Sequence, residues 1–497
     1  MTKYMIGIDQ STQGTKALLF DKNARLIART DEAHEQKINE QGHISHDPEE
    51  IFRNVKKAVS RLLSENSICP EQVSGIGISN QRETTVAWDK KAGTPFCDAV
   101  VWQCSRAEKI CQKISQEDAT YTLSATGLPL SPYFPAAKMS WILQHCPKAY
   151  RAAEAGRLCL GTIDSWLLFR MTDGRVFATD YSNASRTQLF HIHRLNWDPE
   201  LCRIFKIPPT ALPHVMDSDA LFGETTLDDI FPYPVPIHAV LGDSHAALFA
   251  QNCRHAGQIK ATYGTGSSVM MNTGRTPVLS SHGLSTSLAW KINGEISYVL
   301  EGNLNDTGAV ITWLKNSLCL IRSAHETENL ALTANPRDTT YLVPAFSGLG
   351  APYWDSGARA VFCGMNRSTG KAELVKAALE CIAYQITDLL EAMAKDSKIC
   401  IENLYADGGA TGNAYLMQFQ SDIGGITVKV SENEELSGIG AACLAGIALG
   451  IYTEENIFLQ RHYQEYTPSM LQNERELRRN GWKLAIEKSR TQKGPQM

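Results

Sequence analysis

A strand, a small-residue turn and a returning strand at the start of the chain constrain its fold most. An apolar run from Tyr4 to Ile8 ends in Asp9, a Gln/Ser/Thr/Gly turn follows, and a second apolar run extends from Ala17 to Phe20. This pattern predicts a β-hairpin from a buried sheet with a polar tip. Small hydroxyl residues and glycine let backbone N–H groups approach an anion closely, which is one way to hold a phosphate. An ordinary surface turn is the alternative.

The same pattern returns later in the chain. Residues 258–272 again predict a strand, a Gly/Thr turn and a strand, and residues 404–413 predict a strand followed by a glycine-rich turn that begins a helix. A helix is expected from Pro48, with Asp47 as its N-cap, and a small-residue helix is expected at 438–450. Strands and helices in this order predict a mixed α/β fold in two hairpin-led halves, 1–249 and 250–497, related by an internal duplication. Residues 154–236 are rich in Gly/Thr turns and in proline, which predicts an insertion.

Composition narrows the class of protein. A chain of 497 residues is too long for one core and fits two or three domains. The net charge of −5 provides no basic field, so we expect neither a nucleic-acid partner nor a membrane partner. The 13 cysteines are scattered without zinc-ligand spacing, which favours free thiols in a reducing compartment and a cytoplasmic protein.

Three turns, at residues 9–16, 263–268 and 407–413, follow strands of the two halves. None is a Walker A sequence or a dinucleotide-binding glycine fingerprint. Each turn alone is a weak signal, but together they indicate a nucleotide cleft between two domains, where ligand sites are common. Asp9 at the first turn can hold a divalent metal through water, as Mg²⁺ prefers.

Further candidates for chemistry stand at strand ends. Arg82-Glu83 offers a cation and an acceptor side by side for neighbouring hydroxyls of a polyol, or else forms a surface ion pair. Trp102 can pack on the C–H face of a sugar, or else lies in a core. Asp243 follows an apolar strand and precedes a helix, so it is either a general base at a cleft or a helix N-cap.

Long motifs across the whole chain resemble the FGGY carbohydrate kinases, and within that family they are most similar to the glycerol kinases. The first family signature is matched at 133–145, and the second begins at 360–364 and continues at 373–380. The remaining motifs that carry the resemblance lie at residues 79–85, 101–104, 161–166, 179–187, 262–266 and 344–355.

This resemblance implies two actin-like (ribonuclease H-like) ATPase domains with ATP, Mg²⁺ and a small polyol or sugar in the cleft between them. It implies that Asp243 is the catalytic base and that Asp9 is associated with the metal through water. The polyol-binding positions it implies are Arg82, Glu83, Trp102, Tyr133, Asp243, Ser244 and Ser268. The nucleotide-binding positions it implies are Thr12, Gln13, Gly14, Lys16, Thr265, Gly308, Thr312, Gly409 and Asn413.

The chain departs from glycerol kinases at several of these positions. Ser244 stands where they have glutamine, Ser268 where they have phenylalanine, Lys16 where they have arginine, and Thr312 where they have glutamine. Two small hydroxyl residues enlarge the pocket and make its wall more polar, which predicts a polyol or ketose of four or five carbons.

Two other interpretations are open. The chain is a true glycerol kinase that has drifted at these positions, or it is a non-catalytic actin-like regulator that binds ATP. The second alternative needs neither Asp243 nor Arg82, Glu83 and Trp102, all of which are present. A homodimer or homotetramer is compatible with the sequence.

Overall fold

The computed structural model describes residues 3–458 and 461–491. The strands of the first half are β1 (Tyr4–Gln10), β2 (Gly14–Phe20), β3 (Leu26–Ala33), β4 (Lys37–Ile38), β5 (Ile44–His46), β6 (Val73–Asn80), β7 (Thr85–Asp89), β8 (Ala99–Val100), β9 (Leu158–Thr162), β10 (Ala178–Asp180), β11 (Phe190–His191), β12 (Asn196–Trp197), β13 (His214–Met216), β14 (Leu221–Thr225) and β15 (Val235–Gly242). Its helices are α1 (Pro48–Glu65), α2 (Glu108–Cys111), α3 (Gln116–Thr126), α4 (Pro135–His145), α5 (Pro147–Glu154), α6 (Ile163–Met171), α7 (Tyr181–Ala184), α8 (Pro199–Phe205) and α9 (Asp243–Ala250).

The second half contains a further set of strands and helices. Its strands are β16 (Ile259–Tyr263), β17 (Ser267–Gly274), β18 (Ser285–Ile292), β19 (Glu295–Leu304), β20 (Tyr341–Val343), β21 (Val361–Cys363), β22 (Asn403–Asp407), β23 (Thr427–Ser431) and β24 (Tyr463–Tyr466). Its helices are α10 (Gly308–Asn316), α11 (Glu326–Thr333), α12 (Lys371–Ser397), α13 (Ala414–Gly424), α14 (Leu436–Ala448), α15 (Glu454–Phe458) and α16 (Gln472–Ser489). Short 3₁₀ helices lie at Pro70–Gln72, Pro209–Ala211 and Gly409–Gly412.

Two large sheets share one design. The first has the strand order β14-β15-β6-β1-β2-β3, and the second has the order β18-β19-β17-β16-β22-β23-β24. In each sheet a hairpin strand (β1 or β16) pairs antiparallel with the next strand and parallel with a later one (β6 or β22). A further parallel strand follows in each, β15 beside β6 and β23 beside β22. The predicted internal duplication is therefore confirmed at the level of strand order.

Local signals account for several of these elements. The Asp47 side chain accepts a hydrogen bond of 2.9 Å from the backbone N–H of Glu49, and Pro48 is the first residue of α1, as predicted. The apolar face of this helix, which includes Phe52, Val55 and Leu62, is buried against β2 and β3. Alternation of inward residues likewise buries Ile6 and Ile8 of β1 in the core of the first half.

An accessory part interrupts the first half earlier than predicted. The sequence predicted an insertion from residue 154. The structure instead places β7 outside the first large sheet, where it pairs antiparallel with β9 in a separate sheet of order β4-β5-β8-β7-β9. Helices α4, α5 and α8 pack on this sheet around a core of their own, which includes Met139, Leu160 and Leu201. The accessory sheet therefore takes its first two strands, β4 and β5, from before α1, and the longer insertion that completes it begins near Thr85, because β7 pairs with β9 some seventy residues along the chain rather than with β6.

A pair of helices lies between the two large sheets. An apolar cluster joins Leu18 and Phe20 of the first sheet, Met270 and Val299 of the second, and residues of α9 and α14. The small residues of α14 allow a very close approach, since a Cβ added to Gly440 would lie 2.0 Å from the carbonyl oxygen of Ala246 in α9. The predicted small-residue helix is thus confirmed, and it packs on the sheet of the first half. No helix among the described residues is long and apolar enough to cross a bilayer.

The close crossing of α9 and α14 predicts a measurable stability effect. Replacing Gly440 by alanine places a methyl group against the Ala246 backbone, and overpacking of this kind costs about 1–3 kcal/mol. We expect Gly440→Ala to lower the Tm of the nucleotide-free protein. Gly412→Ala is the matched control, because a Cβ at Gly412 has no neighbour within 4 Å. Equal Tm values for the two variants would contradict the proposed tight contact.

Candidate active site

The carboxyl ends of β1, β6 and β15 bring the first group of predicted residues together. These three strands are adjacent and parallel, with Asp9 opposite Ser79 and Gly242 opposite Asn80. The hydroxyl of Ser79 donates a hydrogen bond of 2.9 Å to Asp9 Oδ1. Because the chain continues from these strand ends, Asp9, Arg82 and Asp243 lie at the same edge of the first large sheet.

Arg82 is the centre of this edge. Its Nε donates to Asp243 Oδ1 at 2.9 Å, and its Nη2 donates to Ser244 Oγ at 3.0 Å. Both terminal nitrogens also donate to Glu301 of β19, each at 2.9 Å, in a bidentate pair. The Arg82 side chain is only 6% exposed, so burial and charge pairing fix its orientation.

A second arginine extends the charge network. Arg186 Nε donates to Glu83 Oε1 at 2.6 Å, and Arg186 Nη1 lies 2.9 Å from Glu301 Oε2. The latter contact lacks hydrogen-bond alignment, so it is a charge attraction only. Two neighbouring guanidinium groups outweigh the effect of burial and hold the pKa of Glu301 well below its usual range.

Sequence reasoning missed both Glu301 and Arg186. One signal for Glu301 was a glutamate within the apolar run at 298–302, since a charge at such a position is buried only when it is paired. Arg186 lies inside a motif used for the family resemblance, at 179–187, but nothing in its local spacing indicated a partner.

Aromatic residues form a second wall next to Arg82. The rings of Trp102 and Tyr133 meet edge to face with centroids 5.5 Å apart. Trp102 Nε1 donates to Thr12 Oγ1 at 2.9 Å, so this wall is joined directly to the first turn. Behind it, the buried amine of Lys138 donates to the carbonyl oxygens of Glu83 (3.2 Å) and Tyr133, and burial lowers the pKa of this lysine to about 7.

The two serines that replace larger residues both contact the charge network. Ser244 Oγ accepts from Arg82, and Ser268 Oγ on β17 donates to Glu301 Oε1 at 3.0 Å. Their hydroxyl groups therefore lie within one network although the first comes from α9 and the second from the other large sheet.

The predicted nucleotide residues of the second half converge in part. The carbonyl oxygen of Thr265 accepts from the backbone N–H of Thr307 (3.2 Å) and of Ala309 (3.0 Å), so the turn after β16 lies against the start of α10. Gly308 is required there, because an added Cβ would lie 2.6 Å from the Gly264 carbonyl oxygen. Thr312 is exposed one turn farther along α10.

The glycine-rich turn after β22 meets the same region. Gly408 has φ of +98°, and a Cβ there would lie 2.5 Å from the carbonyl oxygen of Tyr263. The neighbouring Gly409, which was the predicted residue, is exposed and has open space around it. Asn413 caps α13 through its side-chain oxygen, which accepts from the Leu416 N–H at 2.9 Å.

Among the residues predicted to bind phosphate at the first turn, Gln13 is exposed whereas Lys16 is paired with an acid. The backbone of Ser11 donates to the Gly14 carbonyl oxygen at 2.8 Å and closes the tip, where the Gln13 side chain is exposed. Lys16, however, donates to Glu435 at 2.7 Å, and Arg29 binds the other oxygen of the same carboxylate. The amine of Lys16 is therefore occupied by the residue that precedes α14.

Asp9 is a buried acid with a raised pKa and few hydrogen-bond donors, which are properties expected of a carboxylate near a cation. Burial raises its pKa to about 6, and nearby Asp243 adds repulsion, although Lys16 and the Ser79 hydroxyl partly offset both effects. Only one of its oxygens accepts a hydrogen bond from the residues described. No group of three or more His, Cys, Asp or Glu side chains in the described part of the chain could enclose a metal ion. The donor set therefore fits a hydrated Mg²⁺ that takes most of its ligands from water and phosphate.

Family models match the two halves in turn. The model of the N-terminal domain of the FGGY family of carbohydrate kinases matches residues 4–250, and the model of its C-terminal domain matches residues 259–449. The chain belongs to the FGGY family. Members of this family are phosphotransferases with an alcohol group as acceptor, so the prediction of a kinase is confirmed and the alternative of a non-catalytic regulator is not supported.

Individual FGGY relatives agree with this assignment. Glycerol kinase 1 of Thermotoga maritima is 45% identical over 492 residues, which cover 98% of this chain and 100% of the relative. The glycerol kinase of Staphylococcus haemolyticus is 42% identical over 490 residues and covers 98% of both chains. The structure of Plasmodium falciparum glycerol kinase with ADP superposes with a TM-score of 0.93 at 32% identity over 99% of both chains. A xylulose kinase from Lactobacillus acidophilus shares the fold, with a TM-score of 0.87 at 21% identity over 98% of this chain and 97% of that one. The predicted actin-like α/β fold is confirmed.

The raised pKa of Asp9 predicts how stability depends on pH. An acid whose pKa is higher in the folded state stabilises that state at low pH, and the contribution is lost as pH rises from about 4 through about 6. Asp9→Asn removes the cost of ionising a buried carboxylate in the folded state. We therefore expect the unfolding free energy of the nucleotide-free variant to exceed that of wild type at pH 8 by on the order of 1–3 kcal/mol. The difference should shrink towards pH 4 in urea titrations.

Asp173→Asn is the matched control, because it removes one carboxylate from a side chain that is 65% exposed. A difference between wild type and Asp9→Asn that stays constant with pH, or a variant that is less stable at pH 8, would contradict the assignment of a strained, buried carboxylate.

Proposed function

We propose that the chain transfers the γ-phosphoryl group of ATP to a terminal hydroxyl of a small polyol, with Asp243 as the general base. The observation that carries this proposal is the position of the Asp243 carboxylate, which is 35% exposed at the strand end where Arg82 holds one of its oxygens. A carboxylate in this position can accept the proton of an attacking hydroxyl, as aspartates do in other kinases.

The orientation of Asp243 supports this role. Arg82 Nε and the backbone N–H of Ser244 both donate to Oδ1, at 2.9 and 2.6 Å. No group among the described residues donates to Oδ2, so this oxygen is available to the substrate. The hydroxyl proton passes to Oδ2 while the hydroxyl oxygen bonds to the γ-phosphorus, and the bond from phosphorus to the ADP oxygen breaks.

Polyol binding is assigned to the residues around Arg82. Glu83 uses Oε1 for Arg186 and keeps Oε2 free of donors among the described residues, so it can accept from a substrate hydroxyl. The edge-to-face rings of Trp102 and Tyr133 present an apolar surface to the C–H groups of the polyol. The left-handed backbone of Glu83 (φ of +60°) is secured by the Lys138 amine, which keeps this acceptor in place.

Nucleotide binding is assigned to turns of both large sheets. Thr12, Gln13 and Gly14 would face phosphates from the first sheet, and Lys16 would join them by exchanging its contact with Glu435 for one with a phosphate. From the second sheet, the nucleotide would be contacted by Thr265, Gly308, Thr312, Gly409 and Asn413. The presence of ADP in the Plasmodium falciparum structure supports nucleotide binding by this chain. A boundary between residues 249 and 250 would separate a mainly polyol-binding domain from a mainly nucleotide-binding one. Asp9 would hold Mg²⁺ through water, and that ion would neutralise charge on the transferred phosphate.

The two serines indicate the size of the polyol. Ser244 Oγ accepts from Arg82 and so has its own proton left to donate, whereas Ser268 Oγ donates to Glu301 and so has lone pairs left to accept. The pocket wall thus offers one donor and one acceptor where glycerol kinases have an amide and a phenyl ring. We propose a polyol or ketose of four or five carbons as the acceptor, with glycerol as the alternative.

A substrate panel tests this proposal. Wild type with MgATP is assayed for ADP release and phosphorylated product with glycerol, erythritol, threitol, xylitol, ribitol and pentuloses. We expect a higher kcat/KM for a four- or five-carbon acceptor than for glycerol. Ser244→Gln with Ser268→Phe should shift the preference towards glycerol by about 10- to 100-fold, because the two lost hydrogen bonds together are worth about 1–3 kcal/mol.

Ser60→Gln is the control for the swap, since Ser60 is exposed on α1 and is not among the residues assigned to the site, so this variant should leave the preference unchanged. Clear preference of wild type for glycerol would refute the larger acceptor and leave the kinase assignment intact. ATP hydrolysis without any phosphorylated acceptor would refute the kinase assignment itself.

A further inference from the structure

Five charged side chains form a continuous row through the site. Their order is Glu83, Arg186, Glu301, Arg82 and Asp243, so acids and bases alternate along the whole row. Successive members are 2.6 to 2.9 Å apart, and all but Asp243 are nearly or completely buried. Charges at such depth are stable only when each is paired, so the members of the row fix one another.

Glu301 is the member that joins the two halves. It lies on β19 of the second large sheet, whereas its two arginine partners come from the first half of the chain, at the end of β6 and after α7. Successive side chains of β19 point to opposite faces of the sheet. Leu300 lies in the core of the second half, whereas Val299 lies in the apolar cluster between the two sheets. Glu301 is two residues from Val299 and therefore lies on the same face. The orientation of Arg82 is therefore set from the opposite sheet.

Both oxygens of Glu301 are occupied by protein groups. Oε1 accepts from Arg82 Nη2 and from Ser268 Oγ, while Oε2 accepts from Arg82 Nη1 and faces Arg186 Nη1. The side chain is completely buried. Such a carboxylate has no position left for a substrate hydroxyl, so any effect it has on the reaction passes through Arg82 and Arg186.

We propose that Glu301 is a positioning residue for phosphoryl transfer, which holds Arg82 against Asp243 and, through Arg186, holds Glu83 towards the polyol. This inference rests on the proposed function. Without the Glu301 carboxylate, two buried guanidinium groups meet with no acid between them, and Arg82 loses the bidentate contact that points its Nε at the base. The polyol-binding residues are then displaced, while the nucleotide turns, which Glu301 does not touch, keep their geometry.

The test is steady-state kinetics of Glu301→Gln, which preserves the size of the side chain and removes its charge. We expect the KM for the polyol to rise by about 10- to 100-fold with a fall in kcat, because small misplacements of binding groups have effects of this size. The KM for ATP and the binding of ADP should stay within about twofold of wild type. A purely structural role would instead lower the Tm and leave the polyol KM of the remaining folded enzyme unchanged.

Two further variants make the outcome decisive. Glu295→Gln, on the exposed part of the same strand, removes an acid that pairs with Arg275 at the surface and should leave both KM values unchanged. Glu301→Asp keeps a negative charge between the two arginines but is too short to reach both, so the polyol KM should still rise while ADP binding is retained. If Glu301→Gln does not fold, Glu301→Asp alone decides the matter.

A polyol KM within twofold of wild type in a folded, ADP-binding Glu301 variant would overturn the proposal. Equal losses of polyol and nucleotide affinity would overturn it as well, because they would mark a general structural role. Neither result would affect the proposed function, which fails only if wild type phosphorylates no polyol.

Discussion

The bidentate pair between Arg82 and Glu301 is the interaction on which the site depends, because it crosses from one large sheet to the other. Arg82 leaves the end of β6 and Glu301 stands in the middle of β19, and their terminal atoms meet at 2.9 Å in two parallel contacts. A pair of this kind, away from water, tolerates little displacement of either partner. The relative position of the two halves and the orientation of the Arg82 side chain are therefore linked physically.

The duplicated scaffold explains why such a pair can form. In each half a hairpin strand lies beside parallel strands whose carboxyl ends open onto the same space, so two sets of loops face each other across the α9–α14 helix pair. The close contact of Gly440 with the Ala246 backbone keeps these helices, and hence the sheets, near enough for side chains to meet. The first half supplies the proposed base and the proposed polyol contacts, and the second supplies Glu301, Ser268 and glycine-rich turns.

Features with a local cause could be predicted from the sequence. The hairpins, the Asp47 cap of α1 and the small-residue helix α14 follow from neighbouring residues. The family motifs indicated four further side chains that the structure brings close to one another, namely Asp243, Arg82, Glu83 and Trp102. Pairings between distant residues could not be predicted. Arg82 and Glu301 are 219 positions apart, and Lys16 meets Glu435 across 419 positions, so no local spacing indicates either contact. The need for glycine at position 408 likewise depends on the approach of the Tyr263 carbonyl oxygen from another strand.

The proposed role of Asp243 is to accept the proton of the attacking hydroxyl, and single-turnover phosphorylation by Asp243→Asn measures that role without interference from product release. The amide keeps an acceptor for Arg82 but cannot take a proton at neutral pH, so we expect the rate of phosphoryl transfer to fall by about 10²- to 10⁴-fold. Binding of ADP and of the polyol, measured by titration, should change by no more than a few-fold. A transfer rate equal to that of wild type would show that Asp243 is not the general base.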